Sequence, residues 1–479
     1  MPMNRCMPRW FAIALFAASC GLPEGDVDAP AESLAQITAA LTVDNSTGRS
    51  ATFTAGGTID TGNAFFQSLG TNGRACVTCH DAADNWSITP AHLRARFAAS
   101  AGTDPVFRTN DGASSPLADV STLAARQTAY SMLLTKGLIR VGRAIPPGAE
   151  FTLDSVDDPY HFASAAQLSL FRRPLPTTNL IFLSTLMWDG RETFLDVESS
   201  DCLKLPLDPS TCFASMPFDL AHQSNGATLG HAQATNPLTE AQRAAIVGFE
   251  LTLFTAQIFD ANAKDLSAAG GGGGPSQLSA KTFYFGVNDV LSGDYRTGAP
   301  FSPIVFTLYD AWTNRPGGGT EAARRTVARG QALFNRKPIS ITGVKGLNDD
   351  LALPVLVGTC TTCHDTPAAG NHSIPAPLDI GLADVSRRTP DMPLYTLRRS
   401  SNAETVQTTD PGRALITGKW KDIGRFKGPI LRALSGREPY FHNGSAADLG
   451  AVVAFYDSRF TIGLSAQEKA DLIGFLQTL

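Results

Sequence analysis

Two short segments of the chain combine residue types that could do chemistry. They read CVTCH at residues 76–80 and CTTCH at 360–364, each with two thiols one helical turn apart and a histidine directly after. In a chain with 8 cysteines and 8 histidines among 479 residues, chance would supply about 0.002 such motifs. Thiols at this spacing add to the two vinyl groups of a haem, and the adjacent imidazole turns onto the iron. The expectation is two haem c groups attached through Cys76, Cys79, Cys360 and Cys363, with His80 and His364 as proximal iron ligands. A four-cysteine zinc site competes, but it leaves both histidines unexplained and requires closure over most of the chain. A thioredoxin-like dithiol is weaker, because no strand leading into a βαβ unit precedes the first motif.

The other cysteines speak of compartment. Arg5 and Arg9, an apolar run from Trp10 to Ala18 and then Cys20 have the layout of an export signal, too short for a permanent membrane span. The small residues before Cys20 resemble a lipoprotein cleavage box, so Cys20 is the expected lipidation site and the protein is expected at the periplasm or outer membrane surface of a bacterium. Cleavage without a lipid is the competing reading. In that oxidising compartment Cys202 and Cys212 are expected to form a disulfide. A net charge of −5 leaves no basic footprint for nucleic acid, and membrane contact is expected only through the N-terminal lipid.

The elements that position the motifs form a degenerate repeat. GNAFFQ precedes the first motif and GQALFN the second, while LTEAQRAAIVGFELTLF from Leu238 and LSAQEKADLIGFLQTL from Leu464 close the halves. Each closing segment begins with a helix cap, Thr239 or Ser465, before apolar residues at helical spacing. Stretches such as 103–118 and 143–160 lack periodicity and read as extended loops, and the glycine run within 268–280 reads as flexible. The expected class is all-α, two cytochrome c-like domains with long loops. The expected boundaries are an export signal at 1–20, a tether at 21–50, an N-terminal domain at 51–262, a linker and connection at 263–320, and a C-terminal domain at 321–479.

Between the motifs lies LMWDGRET, residues 186–193, in which Trp188 precedes an Asp-Gly turn. With FKGPILRALSGREPYFHNGSAADL at 426–449 and the two CxxCH motifs, this stretch resembles the bacterial dihaem cytochrome c peroxidase family, which includes the dihaem enzyme of methylamine utilisation. The resemblance covers roughly residues 60–479. It implies peroxide chemistry at the haem held by His80. It also implies electron entry at the haem held by His364 from a small donor protein, a cytochrome c or cupredoxin, with Trp188 between the two.

For the distal side, Gln223 matches the family's glutamine, but the family's glutamate ten residues later is here Gln233, which exchanges no proton. His231 is the nearest replacement. Three readings stand for it: a distal acid/base, a sixth ligand to the first haem, or a structural hydrogen-bonding histidine. His161 is a candidate loop ligand to the first haem, against a surface histidine. The methionine that the family uses on the second haem is missing, so His372 and Met392 are candidate sixth ligands and Tyr395 a further one. Arg191 and Arg432 are expected to pair with haem propionates, and His442 is read as a structural group near the second haem. The family's interdomain calcium has a side-chain ligand where this chain has Arg173, so the sequence gives calcium no support. His92 and His222 have no case as ligands. A dihaem electron carrier without catalysis, and an oxidase acting on another substrate through high-valent haem, are the competing functions.

Overall fold

The computed structural model describes residues 41–193 and 209–479. The export segment with Cys20 lies outside the described residues, as do Cys202 and the side chain of Cys212, and with them the expected disulfide. The architecture is mixed α and β, which corrects the all-α expectation: the described residues hold eleven strands in four sheets beside the helices.

The first sheet is antiparallel, in the order Leu41–Asn45, Gly48–Thr54, Leu253–Asp260, Lys264–Asp265. Its hairpin takes up the last ten residues of the stretch expected to be a tether. A second sheet pairs Phe151–Asp157, inside the expected loop 143–160, with Leu394–Arg399, which pairs in turn with Thr405–Thr408. One strand of the N-terminal half is thus hydrogen-bonded into the C-terminal half. Two ladders complete the set, Ile139–Arg143 with Leu168–Arg172 and Ile339–Thr342 with Val355–Gly358. The last of these ends just before Cys360.

The closing helices form where expected. Glu240–Leu251 starts from a capping box between Thr239 and Gln242, and Ala466–Leu476 from one between Ser465 and Glu468. The reciprocal bonds satisfy amide donors that the first helical turn would leave open. The opening segments differ: Ala64–Phe66 is a single 3₁₀ turn, whereas GQALFN ends the long helix Thr320–Arg336. The glycine run is packed rather than flexible. The Gly272 and Gly273 amides donate to Leu308 and Leu266 carbonyls, and a Cβ at Gly271 would lie 2.3 Å from the Leu266 carbonyl oxygen and 2.7 Å from the Trp312 ring.

One apolar cluster joins the halves, bringing Leu180, Phe182, Leu183, Leu186 and Leu220 against Phe285, Ala368, Ala369 and Ile430. It lies beside the two large cavities that the CxxCH motifs line.

Candidate functional site

Both CxxCH motifs fold as a 3₁₀ turn, Cys76–Thr78 and Cys360–Thr362, and each is capped by a threonine hydroxyl three residues on. The turn puts both sulfurs and the following histidine on one wall of a cavity. The His80 Nδ1 lies 3.3 Å from the Trp86 carbonyl and the His364 Nδ1 2.6 Å from the Gly370 carbonyl. A ring whose Nδ1–H is held by a carbonyl keeps Nε2 as a lone-pair donor, the form that ligates iron. Burial pushes both imidazoles down to about 4, so they stay neutral.

The first cavity opens to solvent and spans about 1480 Å³ of space between protein atoms. One wall is the helix Pro209–Gly230 and the residue after it, from which Leu220, Gln223, Ser224, Ala227, Thr228 and His231 face inward. Their spacing of three and four is one helical face, so Gln223 and His231 come together as the sequence suggested. Gln233 does not: it is exposed, with φ +55°. His231 has partners that sequence reasoning missed. Its Nδ1 is 2.5 Å from Asp111 Oδ2, and Arg74 pairs with the other oxygen of that carboxylate. Burial alone would raise the Asp111 carboxyl, but the His231 hydrogen bond and the Arg74 charge hold it below its ordinary value. Asp111 sits in TNDGAS, where Asp-Gly reads as a turn, and only the fold brings it to His231.

The second cavity likewise opens to solvent, spans about 1850 Å³ of space between protein atoms and is lined mainly by apolar side chains such as Phe334, Leu378, Val453 and Leu472. The cavities share a wall that includes Arg173, Trp188, Lys427 and Ile430. Trp188 therefore stands between them. Its Nε1 donates to the Arg173 carbonyl at 2.8 Å, and its own carbonyl accepts from the Lys427 amide at 2.9 Å. Gly190, at φ +66°, closes the turn by donating its amide hydrogen to the Met187 carbonyl at 3.0 Å. Asp189 is fully buried and binds Arg172 at 2.5 Å and Arg191 at 2.8 Å, while Arg413 donates to the Asp189 and Gly190 carbonyls. This clamp fixes the tryptophan ring.

The wall also carries positive charge in need of an anion. Lys427 is buried, has no carboxylate partner among the described residues, and reaches the Gly428 carbonyl at 3.4 Å. Burial lowers its ammonium to about 7. Haem carries two carboxylates, so an uncompensated buried ammonium facing both cavities fits the group, as do the paired thiols and the oriented imidazoles. Arg191 lines the first cavity while pairing with Asp189. Arg432 does not line either cavity; its guanidinium donates twice to the Ala368 carbonyl and lies over Phe306.

The other candidates separate as clearly. His161 is an exposed loop residue at φ +53° and lines neither cavity. Met392 is packed with Met132, Leu138 and Phe171 away from both. Tyr395 is buried in its strand, donating to the Ser169 carbonyl at 2.7 Å and accepting from the Ser169 amide at 2.9 Å. His372 does line the second cavity, with His442 and Tyr456. His442 stacks on Phe426 at 4.0 Å, meets the Trp188 ring edge-on at 6.2 Å, and has no hydrogen-bond partner for either ring nitrogen among the described residues. His92 and His222 pair with Asp84 and Glu192. The Arg173 guanidinium donates to the carbonyls of Lys136, Ile88 and Arg437, filling the space between the halves with a fixed cation.

No family model matches the chain. Among curated proteins it is similar to Cytochrome-c peroxidase IdrP1 of Pseudomonas sp. (strain SCT), at 30% identity over 36% of this chain and 43% of the relative. It is also similar to Cytochrome-c peroxidase IdrP1 of Denitromonas iodatirespirans, at 31% identity over 25% of this chain and 36% of the relative. The chain thus spans less than half the length of the curated relatives it matches. A crystal structure of a MauG-like protein associated with microbial copper homeostasis aligns over 66% of this chain and 77% of its own, at 16% identity and a TM-score of 0.28. That match is too loose to bear on the site. In sequence, the chain resembles the dihaem cytochrome c peroxidases.

Proposed function

We propose that the protein is a dihaem c-type peroxidase that reduces hydrogen peroxide to water, with electrons from a small cytochrome or cupredoxin entering at the second haem. The observation that carries this reading is an asymmetry. Both cavities have a CxxCH wall, and Trp188 lines both, but among the described residues only the first has a lining histidine hydrogen-bonded to a buried carboxylate.

The haem irons, when bound, supply the electrons that cleave the O–O bond. The chain's residues manage the protons: H₂O₂ with two protons and two electrons gives two H₂O. Asp111 accepts the Nδ1–H of His231, and Arg74 keeps that carboxylate in place, so Nε2 is the free nitrogen. Nε2 takes a proton from one peroxide oxygen and returns it to the other, a transfer worth about 10²–10⁴-fold in rate. The Gln223 amide orients peroxide beside it. Lys427 and Arg191 hold propionates. Export and a lipid at Cys20 belong to the same reading. Among the described residues no helix is long and apolar enough to cross a membrane, and a Cys20→Ser variant is expected to leave the membrane fraction.

The test is peroxide consumption by His231→Ala with its haem content verified. The expected result is a fall of about 10²–10⁴-fold with the optical spectrum of the second haem unchanged. Full turnover in the variant contradicts the assignment.

A further inference from the structure

Behind the second motif lies a cluster of which His372 lines the second cavity, while its two carboxylates line neither. Asp365 follows His364 directly, His372 ends the same loop, and Asp289 comes from the connection between the halves. All three are buried, at 0%, 7% and 1% exposure. One ligating atom from each lies within 4.8 Å of the others. Asp365 is held by Ser373, whose amide donates to Oδ1 at 2.7 Å and whose hydroxyl donates to Oδ2 at 3.1 Å. The Oδ1 of Asp289 accepts from the Leu291 amide and from the Ser292 amide and hydroxyl, at 2.7–3.0 Å.

Two atoms remain unpartnered in the middle, Asp289 Oδ2 and His372 Nδ1. His372 Nδ1 lies 3.2 Å from Asp365 Oδ2 without the alignment of a hydrogen bond. Among the described residues no lysine or arginine pairs with either carboxylate. Two buried carboxylates without a cation are costly, and a buried imidazole nitrogen left bare adds to that cost.

We infer that Asp289, Asp365 and His372 form a buried site for a divalent metal ion of zinc type. The donor set decides the class. Two carboxylate oxygens and one imidazole nitrogen suit zinc, whereas calcium takes about 6–8 oxygens. Two ligands bound about 2.0 Å from a tetrahedral ion lie about 3.3 Å apart, close to the 3.2 Å between His372 Nδ1 and Asp365 Oδ2. A fourth position is left for water. Such an ion would tie the connection between the halves to the loop that follows the second motif. Contacts already run along this path, with the Gly286 amide on the Ser373 carbonyl and the Asn288 side chain on the Asp365 carbonyl. The inference is independent of the peroxidase reading.

The experiment loads the haem-containing protein with zinc, removes the excess by desalting, and measures zinc per chain by mass spectrometry. One equivalent is expected in the wild type, and less than a tenth of that in Asp289→Asn, with haem content unchanged because Asp289 lines neither cavity. No retained zinc in the wild type, or equal zinc in the variant, overturns the site. Zinc-edge X-ray absorption on the wild type needs no variant. A first shell of nitrogen and oxygen near 2 Å is expected, and a sulfur shell or six oxygens at calcium-like distances contradicts it.

Discussion

At the scale of residues, the chemistry rests on charge pairs that burial makes strong. The His231–Asp111–Arg74 chain is the clearest case. Asp111→Asn keeps the shape but replaces an ionised acceptor with an amide, leaving the imidazole tautomer unfixed. Peroxide turnover is expected to fall by about tenfold or more, less than for His231→Ala, with haem spectra unchanged. Steady-state peroxide assays on the two variants check the order. Only half of this chain of residues could be read in advance. Gln223 was visible through the resemblance, and His231 as the titratable residue nearest the position that the family gives to its glutamate. Asp111 and Arg74 lie 120 and 157 residues away from His231 in sequence, and no local pattern links a turn aspartate to a distant histidine. Two ligand candidates failed for the same reason, since the loop histidine His161 and the core methionine Met392 have the right chemistry in the wrong place, whereas His372 does line the second cavity.

Asp189 gives a stability prediction at the same scale. Burial alone would raise its carboxyl, but Arg191 and Arg172 outweigh that and hold it well below the ordinary 3.8. The folded state therefore keeps the charge where the unfolded chain would take up a proton. The stabilisation is fully present above the unfolded value and is lost as pH falls through the folded one. Asp189→Asn leaves Arg172 and Arg191 short of a partner and is expected to cost about 3–5 kcal/mol. The deficit should be large at neutral pH and shrink in strong acid, as chemical denaturation across pH can measure.

At the scale of elements, the closing helices were legible and the strands were not. Thr239 and Ser465 announce their helices through capping boxes whose partners lie three residues on. The strands are two to eight residues long, too short for a period of two to stand out, and what stabilises them lies far along the chain. Phe151–Asp157 is ordered by Leu394–Arg399, and Gly48–Thr54 by Leu253–Asp260. The glycine run misled for a related reason: composition suggests freedom, while the fold uses absent side chains to bring backbone against Trp312. Gly330, in GQALFN, shows the same use of glycine in a helix. A Cβ there would lie 1.9 Å from the Asp471 carbonyl oxygen on Ala466–Leu476. Gly330→Ala must push apart the helices that bring Phe334 and Leu472 to the second cavity. A loss of about 1–3 kcal/mol is expected, with the absorption of the second haem altered more than that of the first, as thermal melts and optical spectra would register.

At the scale of the whole molecule, the halves are not separable beads. A shared sheet, a shared apolar cluster and the Arg173 guanidinium across three carbonyls fix one cavity against the other, and Trp188 is the aromatic ring in their common wall. The clamp of Asp189, Arg172, Arg191 and Arg413 holds the turn that carries it. In pulse-radiolysis experiments, Trp188→Ala is expected to slow electron transfer between the haems while each keeps its own spectrum. An unchanged rate would reduce the ring to packing.

In the proposed reaction both cavities serve one two-electron reduction of peroxide. It is tested most directly by adding one equivalent of hydrogen peroxide to the fully reduced, haem-loaded protein and following both haems by stopped-flow absorption. One equivalent is expected to reoxidise both haems, and His231→Ala to slow the reaction sharply. Haems that stay reduced on mixing, or wild-type and variant traces that coincide, contradict it.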